Sequence, residues 1–155
     1  MSAYYDKSYE ERMKDAGSMA EGAFMKYADE KGWSYRAYGF DSGLEDYFKV
    51  PEFIRVTPDF LVTKPKQALI ECKGLGRDGI VKIKHDYLES LQEWQGHLQV
   101  VFFFYDSHKK EFAFSTYSDI WSKIHDGRNV DISHFPDNGR KFYGFHKVLF
   151  TWQDS

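Results

Sequence analysis

Asp59, Glu71 and Lys73 are the residues whose types and spacing hold the clearest chemistry in this chain. They lie in the stretch VTPDFLVTKPKQALIECKG, residues 56–74, where Pro58-Asp59 is followed, after a gap, by Glu71-Cys72-Lys73. Residues 54–63 and 67–73 read as two β-strands. Lys64-Pro65-Lys66 turns the chain between them, because proline presets a turn dihedral and cannot donate to a ladder. Side chains alternate along a strand, so Glu71 and Lys73 share one face and Cys72 points to the other. If the strands pair as a hairpin, Asp59 comes beside Glu71, and two carboxylates and an ammonium share one patch. Two hard oxygen anions suit Mg²⁺ or Mn²⁺, and a lysine beside them can orient a water or steady a phosphate. An ordinary amphipathic hairpin with a charged outer face would show the same residues.

Other elements must position that patch. A helix is expected over residues 19–31, with Ser18 as N-cap and Gly32 as terminator, and with Ala20, Phe24 and Ala28 in its apolar stripe. Glu21 sits on the border of that stripe, where a carboxylate can reach over a sheet edge, or merely favour the helix dipole. Residues 33–40 alternate aromatic and polar side chains and read as the first strand, turned by Asp41-Ser42-Gly43. Residues 44–52 are ambiguous. They hold Glu45, Asp46 and Glu52, spare acids that can stand in for Glu21. The first 17 residues fit an extra helix or a loose arm.

Past Lys73, residues 74–79 form a Gly-rich loop. Residues 80–95 read as one helix with Ile83, Tyr87, Leu91 and Trp94 on its buried side. LQVVFFFY, residues 98–105, is the near-continuous apolar run of a strand covered on both faces. Residues 111–115 read as its partner. Thr116 or Ser118 caps a short helix to about residue 124, residues 127–141 look like loop, and residues 142–152 look like a final strand. Between Lys64 and Lys84 stand six basic residues (Lys64, Lys66, Lys73, Arg77, Lys82, Lys84) against two acids. With His85 they make a basic concentration suited to phosphates. His125, His134 and His146 lack metal-ligand spacing.

The motif resembles that of the PD-(D/E)XK nuclease superfamily: Pro58-Asp59, a variable gap, then Glu71-X-Lys73. The stretch EGAFMKYADEKGWSY, residues 21–35, is further similar to the first helix of the bacteriophage Holliday-junction-resolving endonuclease I family. That likeness covers about residues 21–74. The resemblance implies a restriction-endonuclease-like α/β fold in a single domain, with a mixed central sheet flanked by helices. It also implies a Mg²⁺- or Mn²⁺-dependent DNA endonuclease, of the branched-DNA resolvase type, leaving 5′ phosphate and 3′ hydroxyl ends. Asp59 and Glu71 would hold the metal with the Cys72 backbone carbonyl, Glu21 would extend the site, and Lys73 would act on the attacking water. Resolvases of this type are homodimers, matching a two-fold symmetric junction. The alternatives are a non-catalytic nucleic-acid-binding module or a protein-interaction module on the same fold.

Composition narrows the field. The chain has 155 residues, 42% apolar and 19% aromatic, which suits one packed domain rather than disorder. A net charge of −3 excludes a general DNA-coating protein, so contact with DNA must rest on the local basic patch. One cysteine excludes an internal disulfide and a Cys-based zinc cluster. With no apolar leader and no run of 18 apolar residues, the expectation is a soluble, intracellular (cytoplasmic) protein away from membranes. The family likeness adds a phage-type source.

Overall fold

The computed structural model describes residues 9–39, 51, 54 and 56–155, with side chains described from residue 19 onward. The elements in chain order are α1 (Tyr9–Glu30), β1 (Ser34–Ala37), β2 (Phe60–Lys64), β3 (Ala68–Gly74), β4 (Ile80–Lys84) and α2 (His85–Gln95). They continue with β5 (Val100–Asp106), β6 (Glu111–Thr116), α3 (Tyr117–Asp126), β7 (Val130–His134), β8 (Lys141–His146), a 3-10 turn (Lys147–Leu149) and β9 (Gln153–Asp154). Among the described residues, six strands form a sheet in the order β1-β2-β3-β5-β6-β9, and β4-β8-β7 form a smaller sheet. The large sheet is mixed: β3 and β5 are parallel, and the other pairs are antiparallel.

The alternation of β5 organises two layers. Phe103 faces α1, where Ala20, Phe24 and Ala28 pack on Phe60, Val62, Ile70, Cys72 and Phe112. Phe102 and Phe104 face the other way, onto Leu88 and Leu91 of α2, Tyr117 and Ile120 of α3, and Val81, Ile83, Tyr143 and Phe145 of the small sheet. A strand covered on both faces needs an apolar run rather than alternation, as VVFFFYD shows. Helix α1 ends as expected at Gly32 (φ 70°), where the Gly32 and Trp33 amides donate to the Asp29 and Ala28 carbonyls.

Four expectations need correction. Helix α1 begins at Tyr9, so Ser18 lies within it and not at its N-terminus; residues 9–16 are mostly good helix formers and carry the helix through Gly17-Ser18. Residues 80–95 are a strand and then a helix, not one helix. Val81 and Ile83 are fully buried in β4, and the run IVKIK has the period of two and the β-branched residues of a strand. Residues 127–141 contain the strand β7. Among the described residues it pairs only with β8 and is mostly exposed, so its side chains look like those of a loop. Residues 142–152 are not one strand. The chain leaves the small sheet after His146, and Lys147 bonds Asp106 and Glu111 at 2.7 Å each before β9 joins β6 in the large sheet. Glu45, Asp46 and Glu52 lie outside the described residues.

Phe24 is fully buried, with ring contacts to Phe60, Phe103, Trp33 and Tyr35. Phe24→Ala is expected to cost about 3–5 kcal/mol in denaturant unfolding. Met25→Ala, at a neighbouring position 38% exposed, should stay within about 0.5 kcal/mol. Equal effects at the two positions would contradict the packing of α1 on the sheet.

Candidate active site

The β2–β3 hairpin does what the spacing requires. Phe60 pairs with Ile70 in antiparallel register, which sets Asp59, one residue before β2, beside Glu71 and Cys72. Asp59 is held by its backbone and its side chain. Its carbonyl accepts the Tyr38 and Gly39 amides at 2.8 and 3.2 Å, and its Oδ2 accepts the Cys72 amide at 2.8 Å. Cys72 points into the α1 layer, among Phe24, Phe60 and Ile70. Glu71 and Lys73 point to the opposite face, toward α2, where the Lys73 Nζ lies 4.3 Å from the centre of the Tyr87 ring.

Asp59 joins the two layers. It hydrogen-bonds Glu21, from α1, and Glu71, from β3. Glu71 is 4% exposed and also bonds the Tyr87 side chain, yet its Oε2 has no hydrogen-bond partner. Leaving a buried polar atom unpaired costs roughly 1–3 kcal/mol, so such an atom calls for a physical explanation.

Electrostatics gives that explanation. Burial, and then the Asp59 charge, push Glu71 well above the usual carboxylate range, with Lys73 opposing. Burial and Asp59 push Glu21 from 4.5 up to about 7. Asp59 itself is raised by burial, against the Cys72 amide, the two glutamates and Lys73. Burial and the same three carboxylates push the Cys72 thiol up. The site therefore crowds acids that hold protons to relieve their mutual repulsion. Among the described residues, no three His, Cys, Asp or Glu groups form a ready-made metal cage. The carboxyls meet instead as hydrogen-bonded pairs. Their chemistry still fits a hard divalent ion: oxygen donors only, acids that can yield their protons to a cation, and an orphaned buried oxygen.

The basic residues do not all gather here. Lys64 and Lys66 are exposed at the hairpin tip, about five residues (~16 Å) along β3 from Glu71. Arg77 is exposed in the loop after β3. Lys82 pairs with Asp78 at 3.1 Å, and the Lys84 Nζ lies 5.5 Å from the centre of the Phe135 ring. His85 Nδ1 meets the Tyr143 hydroxyl at 2.8 Å, and Nε2 pairs with Glu89. Tyr87 is the site residue that the sequence conceals. Its spacing puts it with the buried stripe of a helix, and its apolar neighbours give no sign of a hydroxyl aimed at a carboxylate. A groove between α1 and β9 is lined by Lys26, Tyr27, Glu30 and Phe112, and by none of the four site residues.

No protein-family model matches the sequence, and no curated protein does. Solved structures do match. A nuclease from a fusellovirus aligns with a TM-score of 0.51 at 13% identity, over 94% of this chain and 88% of its own. Hjc, a Holliday junction resolvase from Archaeoglobus fulgidus, aligns with a TM-score of 0.53 at 9% identity, over 86% of each chain. The chain therefore has the restriction-endonuclease-like fold, a mixed central sheet flanked by helices.

The raised acids carry a pH signature. A folded-state pKa above the unfolded value means that the folded protein binds the proton more tightly. Glu21 thus favours folding fully below pH 4.5, and this contribution is lost as pH rises through about 7. Glu71 acts in the same direction. The metal-free melting temperature should therefore fall from pH 4.5 to 7, and Glu21→Gln should flatten the slope. Millimolar Mg²⁺ should raise the melting temperature more at pH 8 than at pH 5. A melting temperature indifferent to Mg²⁺ at pH 8 would remove the case for an ion among these carboxylates.

Proposed function

We propose that the chain is a divalent-metal-dependent DNA endonuclease that hydrolyses phosphodiester bonds, and that its substrate is branched DNA of the four-way-junction type. One observation carries this reading: Asp59 and Glu71 converge with Lys73 and Glu21 on a restriction-endonuclease-like sheet. Asp59, Glu71 and the Cys72 carbonyl would hold Mg²⁺ or Mn²⁺, with Glu21 extending the site. When bound, the ion supplies charge stabilisation for the phosphate under attack and for the leaving 3′ oxygen. Lys73 would donate a hydrogen bond to the attacking water and hold it in line with the P–O3′ bond. That bond would break as the water oxygen bonds to phosphorus, with one water proton passing to solvent and the 3′ oxygen taking a proton from solvent, leaving a 5′ phosphate and a 3′ hydroxyl. Asp59, anchored by three backbone amides, keeps its carboxylate in place while the substrate enters.

Arg77, Lys82, Lys84 and His85, with Lys64 and Lys66 farther along the hairpin, would contact phosphates. A homodimer would present two such sites to a two-fold symmetric junction. Among the described residues no helix is long and apolar enough to cross a membrane, and we place the enzyme in the cytoplasm, with a phage-type source.

Cleavage of plasmid and of a synthetic four-way junction, with Mg²⁺ and with chelator, tests the proposal. Asp59→Asn and Glu71→Gln should each lower the rate on the order of 10²-fold or more. Binding to DNA without metal should hold or improve in Asp59→Asn, where a negative charge facing phosphate is removed, and should hold in Glu71→Gln, since burial and Asp59 keep the Glu71 proton on when no metal is bound. Lys73→Ala should stop cleavage and weaken binding, and Cys72→Ser should change little. If the wild type cuts neither substrate with Mg²⁺ or Mn²⁺, the nuclease reading falls and a binding module takes its place.

Replacing Arg77, Lys82 and Lys84 together by alanine should reduce the slope of log affinity against log salt by roughly 0.9 for each phosphate no longer neutralised. An unchanged slope puts the DNA on another surface.

A further inference from the structure

We propose that Tyr87 is a positioning residue for this site, its hydroxyl holding the Glu71 carboxyl and its ring face holding the Lys73 ammonium. The inference rests on the nuclease reading above and adds to it a residue from α2, outside the hairpin that carries the motif. The Lys73 Nζ stands 4.3 Å from the Tyr87 ring centre, within cation–π range. The Tyr87 side chain also hydrogen-bonds Glu71. One side chain thus touches both charged members of the acid-X-lysine pair, which the strand places on a single face.

A tyrosine that serves only the core satisfies its hydroxyl on backbone or water. Tyr117 does so here, donating to the Leu88 carbonyl at 3.0 Å. Tyr87 sits one residue before Leu88 on the same helix, and its side chain instead acts on the buried Glu71 carboxyl, favouring its charged form. The Glu71 carboxyl has one oxygen without a partner, so a donor on the group fixes its rotation and decides where the free oxygen aims. The ring meanwhile limits where a long, flexible lysine can put its ammonium. Without that stop, Lys73 would be free to collapse onto Asp59 and Glu71, both of which feel its charge, and to occupy the place an ion needs.

Three variants of the full-length protein separate these roles. Tyr87→Phe keeps the ring and removes the hydroxyl, and Tyr87→Leu removes both. Leu91→Val perturbs the buried side of α2 without touching Glu71 or Lys73 and controls for packing. Calorimetry with Mn²⁺ alone should show affinity weakened about tenfold in Tyr87→Phe and unchanged in Leu91→Val. Single-turnover cleavage at saturating Mn²⁺ should stay within a few-fold for Tyr87→Phe and drop about tenfold for Tyr87→Leu. Proton NMR of the metal-free protein reports the ring contact directly. The Lys73 ε-methylene resonances should be shifted upfield by the ring in the wild type and in Tyr87→Phe, and should return to ordinary positions in Tyr87→Leu. A wild type without that shift overturns the lysine role, whether or not the protein cuts DNA. Mn²⁺ affinity equal in the wild type and Tyr87→Phe, including none in either, overturns the hydroxyl role. A protein that shows the shift and the affinity loss but cleaves nothing overturns the nuclease reading and leaves the positioning of Glu71 and Lys73 intact.

Discussion

A carboxyl held 4% exposed against a neighbouring carboxylate is the constraint on which the rest of this structure turns. Removing a charged group from water is expensive, and placing a second charge of the same sign beside it adds to the cost. Glu71 meets that cost in three ways: by keeping its proton, by the Lys73 ammonium, and by hydrogen bonds to Tyr87 and Asp59. None of them satisfies Oε2. A site of this kind is costly to fold, and an ion of charge +2, as proposed above, would relieve the repulsion and satisfy the orphaned oxygen together. Strain of this sort concentrates at functional sites.

Stability elsewhere makes the arrangement tenable. The central strand β5 contributes Phe103 to one layer and Phe102 and Phe104 to the other, all fully buried. Both layers then press on β3, which lies beside β5 in parallel register. The strand that carries Glu71 and Lys73 cannot shift by one residue, since that would exchange Cys72 and Ile70 with the charged pair between layers. Asp59 cannot drift either, tied as it is by Tyr38, Gly39 and Cys72 amides. Rigid supports of this kind let four side chains from α1, the start of β2 and β3 keep a common meeting point.

Much of this was legible in the chain. The proline-punctuated hairpin, the apolar run at residues 98–105, the α1 stripe with its glycine stop and the Thr116 cap all depend on contacts local in sequence, where the period of hydrophobicity and the chemistry of a turn are enough. The register of the hairpin followed from the same rules, and with it the approach of Asp59 to Glu71. Errors fell where local signals compete. IVKIK continues into HDYLESLQ with an apolar pattern that also fits a helix, and only its pairing with β8 makes it a strand. VDISH looks like loop because an edge strand on a small sheet buries little.

By itself, the sequence determined the acid-X-lysine strand, the shared face of Glu71 and Lys73, and the two-sided burial of β5, because each follows from the two-residue repeat of a strand. Tertiary structure alone decided the rest. It brought Glu21 across from another layer to Asp59, parted Lys64 and Lys66 from the acids by the length of the hairpin, and set Tyr87 against both charged members of the motif. Those outcomes depend on how helices pack over a sheet, a matter of distance in space between residues far apart in the chain, on which spacing along the sequence is silent.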